Sequence, residues 1–305
     1  MNNVCDPGDL HAYLTHKRQR VNQALDRIWE RYEARPTPLL EAMRYSLEAG
    51  GKRLRPILCI CAAETVGGSE NTVIEAACAL ELIHTYSLIH DDLPGMDNDD
   101  FRRGKPTCHK MYGEATAILA GDALLTAAFE VLAEAVQQGD ARVPDFKWIE
   151  AIRVIARASG VSGMVQGQML DLASEKKAVS WEELKILQQL KTGALIQASL
   201  HVGALLGGGD SRQIQAMCAF GGYIGLAFQM ADDILNVEGD ARITGKPVGS
   251  DAALQKATGP SVLGLDAARA YAKDLVDRAR EELAVFEENA AVLAALARYV
   301  VERDR

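Results

Sequence analysis

Two acidic clusters stand out, each at the foot of an apolar stretch with helical spacing. The first is Asp91-Asp92-Leu93-Pro94-Gly95-Met96-Asp97, followed closely by Asp99 and Asp100. The second is Asp232-Asp233-Ile234-Leu235-Asn236. Carboxylates at a helix C-terminus face the negative end of the macrodipole, and five aspartates between positions 91 and 100 repel one another. A divalent cation is the simplest agent that offsets both costs. Carboxylate oxygens suit Mg²⁺, which retains waters and binds one or two carboxylates together with substrate phosphates. Two clusters then read as two walls of one site with a diphosphate between them.

Cations gather beside the same segments. Lys52, Arg53 and Arg55 sit in a turn after Gly50-Gly51, Arg102-Arg103-Gly104-Lys105 follows the first acidic cluster, and Lys191-Thr192 interrupts an apolar helical pattern. Lys246 and Lys256 follow the second cluster. Arginine grips phosphate through a planar fork and lysine acts as a point charge. Single lysines are ordinarily solvated surface charges, but this set beside two aspartate clusters describes sites for two diphosphates, one bridged by metal and one held by Lys and Arg.

Helical positions sharpen the reading. His84, Ser87, Leu88 and Asp91 share one face, as do Gln229, Asp232 and Asn236. Polar groups on an otherwise apolar stripe are costly in a dry core and fit the wet end of a cavity. Gly221, Gly222 and Gly225 lie inside the second helix, where each costs about 1 kcal/mol against alanine. Close helix packing accounts for them as well as room for a ligand does. Other chemistries fit poorly. The Gly239–Lys246 stretch lacks P-loop spacing, the first cluster lacks the EF-hand glycine, and neither G-x-S-x-G nor H-E-x-x-H occurs. His109 and His201 stand apart and read as structural.

The elements that must position these groups are helices. The periodicity predicts helices over 10–32, 38–48, 56–66, 71–92, 114–137, 144–170, 181–206, 211–236, 261–288 and 290–303, with polar loops at 93–108 and 239–259. The expected fold is all-α, one domain of roughly ten helices. A 48% hydrophobic content supplies a core, and a net charge of −9 argues against nucleic-acid or basic membrane-surface binding. Six scattered cysteines read as reduced thiols of a cytoplasmic protein. The polar N-terminus predicts no signal peptide, and the lack of a continuous apolar run of about 18 residues predicts no membrane span.

With these motifs in view, the chain resembles the trans-isoprenyl diphosphate synthases, bacterial farnesyl diphosphate synthases in particular. The resemblance rests on Gly51-Lys52-Arg53-Leu54-Arg55-Pro56, His84 through Pro94, Arg102 through Thr107, Gly121-Asp122-Ala123-Leu124, Lys191-Thr192-Gly193, and Phe228 through Asp233. It implies an all-α bundle around a central cavity, one polyprenyl synthetase domain over 1–305, a homodimer, and head-to-tail joining of isopentenyl diphosphate to dimethylallyl or geranyl diphosphate. By resemblance, Asp91, Asp97 and Asp232 are metal ligands supported by Asp92 and Asp233, with three Mg²⁺ ions per site. Arg102, Lys191, Thr192, Gln229 and Lys246 would hold the allylic diphosphate, with Lys256 nearby. Lys52, Arg55, His84 and Arg103 would hold isopentenyl diphosphate, and Tyr86 and Ser87 would set chain length.

The expected product is farnesyl diphosphate, the alternatives being geranyl or geranylgeranyl diphosphate. A low-activity partner subunit is disfavoured by the complete first motif and cation set. A terpene cyclase, which uses one substrate, is disfavoured by Lys52, Arg55 and Arg103. Three positions depart from or vary within the family pattern: Asn236 replaces a third aspartate, Gly259 replaces an aromatic residue, and Ser250 sits in a variable loop.

Overall fold

The computed structural model describes residues 10–32, 37–138, 143–175, 177–238 and 256–302. In chain order these form α1 (Leu10–Glu30), α2 (Pro38–Glu48), α3 (Leu54–Thr65), α4 (Glu70–Asp91), β1 (Phe101–Arg102), β2 (Lys105–Pro106), α5 (Cys108–Tyr112) and α6 (Glu114–Gln138). They continue as α7 (Asp145–Ser159), α8 (Met164–Ser174), α9 (Trp181–Gln188), a π-turn (Gln189–Gly193), α10 (Ala194–Leu206) and α11 (Ser211–Glu238). The last are α12 (Gly259–Leu263), α13 (Leu265–Glu282), a 3₁₀ segment (Leu283–Ala290) and α14 (Ala291–Glu302). The expected all-α class holds. Lys246 and Ser250 lie outside the described residues.

Local chemistry explains many of the boundaries. Thr37 caps α2 by accepting from the Leu40 N–H, and Pro38 suits its first turn. Ser180 and Glu183 form a reciprocal capping box on α9, and Thr258 and Ser261 form one on α12. Where the structure departs from the periodicity, glycine usually decides. The predicted 144–170 helix breaks between Ser159 and Met164, because the chain turns so tightly at Gly163 that a Cβ there would come within 2.0 Å of the Ala158 carbonyl oxygen. The predicted 261–288 helix begins at Gly259, is interrupted at Gly264 (φ 82°), and ends in 3₁₀ geometry. The loop at 93–108 contains the antiparallel pair β1–β2, turned through Arg103 and Gly104 at positive φ.

The central element is α4, apolar on nearly every side. It packs against α3 and α6, with Val73, Leu80 and Ile83 wholly buried, as expected for a helix enclosed by others. On its other side α3 meets α10, which also packs on α7 and α11. Close approach there depends on glycine, since a Cβ on Gly203 would lie 2.0 Å from the Cys59 carbonyl oxygen. Outside this core, α1 is tied down by polar contacts. Tyr13 and Lys17 donate to Glu64, and Lys17 and Arg20 donate to Glu70.

The expectation of no membrane-length segment is corrected. The helices Glu70–Asp91, Glu114–Gln137 and Ser211–Glu238 are each long and apolar enough to cross a bilayer. Scattered polar residues interrupt the continuous apolar runs that a sequence search seeks. In this fold 78%, 44% and 56% of their most apolar windows are buried against the rest of the protein. Cys59, Cys61, Cys78 and Cys108 are buried free thiols, and Cys218 is half-buried and also free.

Candidate active site

The first acidic wall is shaped by backbone bonds. Asp92 is the C-cap of α4 and its N–H bonds to the Leu88 carbonyl. The chain then curls back, with Asn98 at φ 52°, so that the Asp97 N–H donates to the Asp91 carbonyl at 2.9 Å. This brings together two aspartates six positions apart. Burial pushes the Asp91 carboxyl up to about 6; the Lys191 charge opposes the rise and the Asp97 charge adds to it. Asp92 behaves differently. Arg102, delivered by β1, grips both of its oxygens at 2.6–2.9 Å. Burial would lower the Arg102 pKa, but Asp92 outweighs it and holds it up.

Two lysines from later in the chain also approach this wall. Lys256 donates to Asp97 Oδ1 at 2.8 Å and lies 3.6 Å from Asp171 Oδ2. Lys191 donates to the same Asp171 oxygen at 2.5 Å. Lys191 is presented by the π-turn, where the helical ladder slips by one residue, a device common at functional sites. The turn is held from outside by α8, which comes so close that a Cβ on Gly167 would meet the Lys191 backbone nitrogen at 2.2 Å.

The second wall is α11. Asp232 and Asn236 are half-buried, one helical turn apart. Asp233 is only 4% exposed and accepts three hydrogen bonds of 2.8 Å, from Gln188, Gln229 and the Gly259 N–H. Gln229 accepts in turn from Thr192. Asp233 thus joins α9, α11 and the start of α12, while Asp232 is the half-buried member of the pair. Two of the three helix glycines prove to be packing residues, while a Cβ on Gly222 would only touch Gln197 Nε2 at 3.4 Å. A Cβ on Gly225 would lie 2.6 Å from the Gly193 Cα, and one on Gly221 would lie 2.8 Å from the Gln197 Cα.

Beside the first wall lies a cavity of about 350 Å³. Arg55, His84, Asp91, Lys191 and Thr192 line its polar end, and Tyr86, Leu88, Met164, Met169 and Leu172 its apolar part. Burial lowers the Arg55 pKa to about 10. Burial, reinforced by Arg55 and Arg103, holds His84 neutral and weakly basic. Tyr86 is 6% exposed and meets His90 edge-on, with ring centroids 5.8 Å apart. Ser87 lines the cavity too, while its hydroxyl donates to the His84 carbonyl. Lys52 is exposed at the turn before α3. A larger hollow of about 550 Å³ lies on another side of α11, lined by Ala231, Ile234 and Leu235, and contains none of these groups.

Residues 36–296 match the family described as Polyprenyl synthetase. The chain belongs to that family. It is 46% identical over 295 residues to the farnesyl diphosphate synthase of Geobacillus stearothermophilus, covering 97% of this chain and 98% of that one. It is 47% identical over 299 residues to the chloroplastic heterodimeric geranylgeranyl pyrophosphate synthase large subunit 1 of Arabidopsis thaliana, covering 97% and 80%. Among solved structures it is similar to an FPP/GFPP synthase from Zymomonas mobilis, with a TM-score of 0.83, 39% identity, and 97% and 100% coverage. It is also similar to the geranylgeranyl pyrophosphate synthetase of Pyrococcus horikoshii, with a TM-score of 0.85, 34% identity, and 96% and 99% coverage. As a polyprenyl synthetase the chain is a prenyltransferase of isoprenoid synthesis.

The donor set of this family member suits a hard divalent cation. Asp91 and Asp97 are paired by the backbone, their oxygens are the donors at hand, and burial of Asp91 makes its negative charge costly without a cation. Among the described residues no three carboxylate, histidine or cysteine side chains already surround one point; Lys256 and Lys191 instead engage the carboxylates of Asp97 and Asp171. Two residues of this site escaped the sequence reading, Asp171 and Gln168. Both Gln168 side-chain polar atoms are buried without a hydrogen-bond partner, and Gln168 lines the cavity. The signal available was an amide and an acid three residues apart within the apolar run Met164–Leu172.

Proposed function

We propose that this chain condenses isopentenyl diphosphate with dimethylallyl or geranyl diphosphate to give farnesyl diphosphate. The observation that carries the C15 product is Tyr86, a bulky, nearly buried side chain in the cavity wall. It precedes Asp91 by five residues, roughly 7.5 Å along the helix axis. The likeness to the Geobacillus enzyme supports the same reading. The likeness to plant geranylgeranyl pyrophosphate synthases favours a C20 product instead. Incubating purified protein with Mg²⁺, isopentenyl diphosphate and each allylic diphosphate, then measuring product length, tests it. Farnesyl diphosphate as the end product supports the proposal, and a C10 or C20 end product overturns it.

Asp91, Asp97 and Asp232 would hold Mg²⁺, three ions per site with diphosphate bound. The metal when bound neutralises the leaving diphosphate. Lys191, Lys256 and Arg102, with Lys246, add fixed positive charge where negative charge develops. Thr192 and Gln229 orient the allylic diphosphate. The apolar wall of Leu88, Met164 and Leu172 keeps water from the allylic cation. Lys52, Arg55, Arg103 and neutral His84 hold isopentenyl diphosphate so that its alkene faces that cation. His84 is too weak a base to take the proton lost afterwards, so the released diphosphate accepts it. A homodimer accords with exposed apolar residues on α6 (Ile118, Leu119) and α7 (Phe146, Ile149), and a cytoplasmic location accords with the free buried thiols.

A further inference from the structure

Glu81 precedes His84 by one helical turn on α4 and is 1% exposed. Its Oε1 accepts from Arg53 Nη1 at 2.6 Å, while its Oε2 is buried without a hydrogen-bond partner. Arg53 caps α3 at φ 51°, an unusual conformation for a side chain of its size. Its fork is fully engaged: Nη2 donates to the Leu47 carbonyl at 2.6 Å and Nε to Asn22 at 3.0 Å. Arg53 therefore serves the turn and not a ligand, and it lies between Lys52 and Arg55. Arg103 rests on the same turn. Its guanidinium donates to the Gly50 carbonyl, and a Cβ on Gly51 would come within 2.7 Å of it. Arg55 Nε is buried and also without a partner.

Arg55 and Arg103 both feel the Glu81 carboxylate. Glu81 is thus the carboxylate that Arg53, Arg55 and Arg103 have in common, with Asp232 acting also on Arg55 and Asp92 also on Arg103. A buried ion pair is by itself weak evidence for stability, and an isolated strut would not need to face two further guanidinium groups.

We infer that Glu81 is a positioning residue and the resident counter-ion of the isopentenyl diphosphate site, fixing the Gly50–Arg55 turn through Arg53 and offsetting Arg55 and Arg103 until a diphosphate replaces it. The inference rests on the reading under Proposed function. It predicts effects of opposite sign from the two halves of one ion pair. Glu81→Gln keeps the shape and the acceptor for Arg53 but removes the charge that competes with the diphosphate. Arg53→Met removes the tether and frees Glu81 to pair with Arg55 and Arg103.

The test is calorimetric titration of isopentenyl diphosphate into the full-length protein without metal or allylic substrate, beside thermal melts. Glu81→Gln should bind about 3–10-fold tighter than the parent and Arg53→Met about 10-fold weaker. The ligand-free Glu81→Gln protein should melt lower and gain more in melting temperature on adding ligand. The allylic KM should stay within about twofold in both. Weaker or unchanged binding by Glu81→Gln reduces the pair to a structural strut and overturns the inference. If that variant does not fold, Arg53→Lys decides: it keeps the charge but loses the fork, so weaker binding with an unchanged allylic KM supports the role and unchanged binding overturns it. A folded parent that does not bind isopentenyl diphosphate overturns the functional reading, and the inference with it.

Discussion

Asp233 accepts the Gly259 backbone N–H at 2.8 Å, and this bond fastens α11 to the chain entering α12. The same oxygen receives Gln188, and the other receives Gln229. A Cβ on Gly259 would lie 2.2 Å from Met230 Sδ, so a side chain there would require Met230 to shift. Met230 thus occupies space beside the position where the family pattern has an aromatic residue. Asp233→Ala strips the acceptor from three buried donors and should lower stability by roughly 2–4 kcal/mol. Asp233→Asn, which keeps one acceptor oxygen, should lose less. Urea unfolding measures both, and equal stability of the alanine variant and the parent would refute the joint role.

Asp91→Ala and Asp232→Ala should abolish turnover while leaving helical circular dichroism unchanged. Both residues are half-buried, Asp91 lining the cavity and Asp232 acting on the charge of Arg55, which lines it too. Activity near the parent level in either variant would remove that residue from the metal set.

Tyr86→Ala should lengthen the product. The phenol ring closes part of the cavity beside His90, and its removal opens space that a longer chain can enter. Product analysis by chromatography is sufficient. A variant whose products match the parent's would put the end of the cavity at another side chain.

Asn236→Asp should lower the Mg²⁺ concentration giving half-maximal rate, with only a modest change in kcat at saturating metal. An amide keeps an acceptor oxygen but lacks the charge, and it can still receive a hydrogen bond from metal-bound water. Superimposable magnesium titrations would show that position 236 does not sense the metal.

The α1 anchor should fail on the acid side. Burial alone would raise the Glu70 pKa, but hydrogen bonds from Lys17 and Arg20 outweigh it and hold it below the ordinary value. A depressed carboxyl contributes stability above its unfolded pKa of about 4.3 and loses it as pH falls through the lower folded value. Glu70→Gln should therefore be less stable than the parent at neutral pH, and the gap should shrink toward pH 3. Melting curves across that range check it, and a constant gap would contradict the linkage.

Much of the site was legible because it is local. The Asp91–Asp97 spacing, the Gly50–Arg55 turn and the Asp232 face are each carried within one segment, and helical period alone sets their directions. What stayed hidden depends on distant partners. Asp171 acquires meaning only when the break at 160–163 turns α8 back against the π-turn, and periodicity carried straight through that break. Arg102 reads as a phosphate ligand by its neighbours, yet here its fork lies on Asp92, delivered by a two-residue hairpin too short to leave a pattern. Lys256 meets Asp97 across 159 positions, a separation over which composition carries no information.

The contacts of Gly193 with Gly225, and of Gly167 with the Lys191 backbone, have consequences for how such an enzyme can diversify. Both are contacts of main chain on main chain, so no rotamer change can absorb a shift there, and any added carbon must move a whole helix. The opposite part of the cavity is lined by Tyr86, Met164, Met169 and Leu172, side chains that can be exchanged or re-packed singly. Mutational drift is therefore channelled: the charged end is held by constraints that single substitutions cannot relax, while the apolar end can be resized one residue at a time. A lineage built on this frame can change the length of what it makes without re-evolving how it makes it.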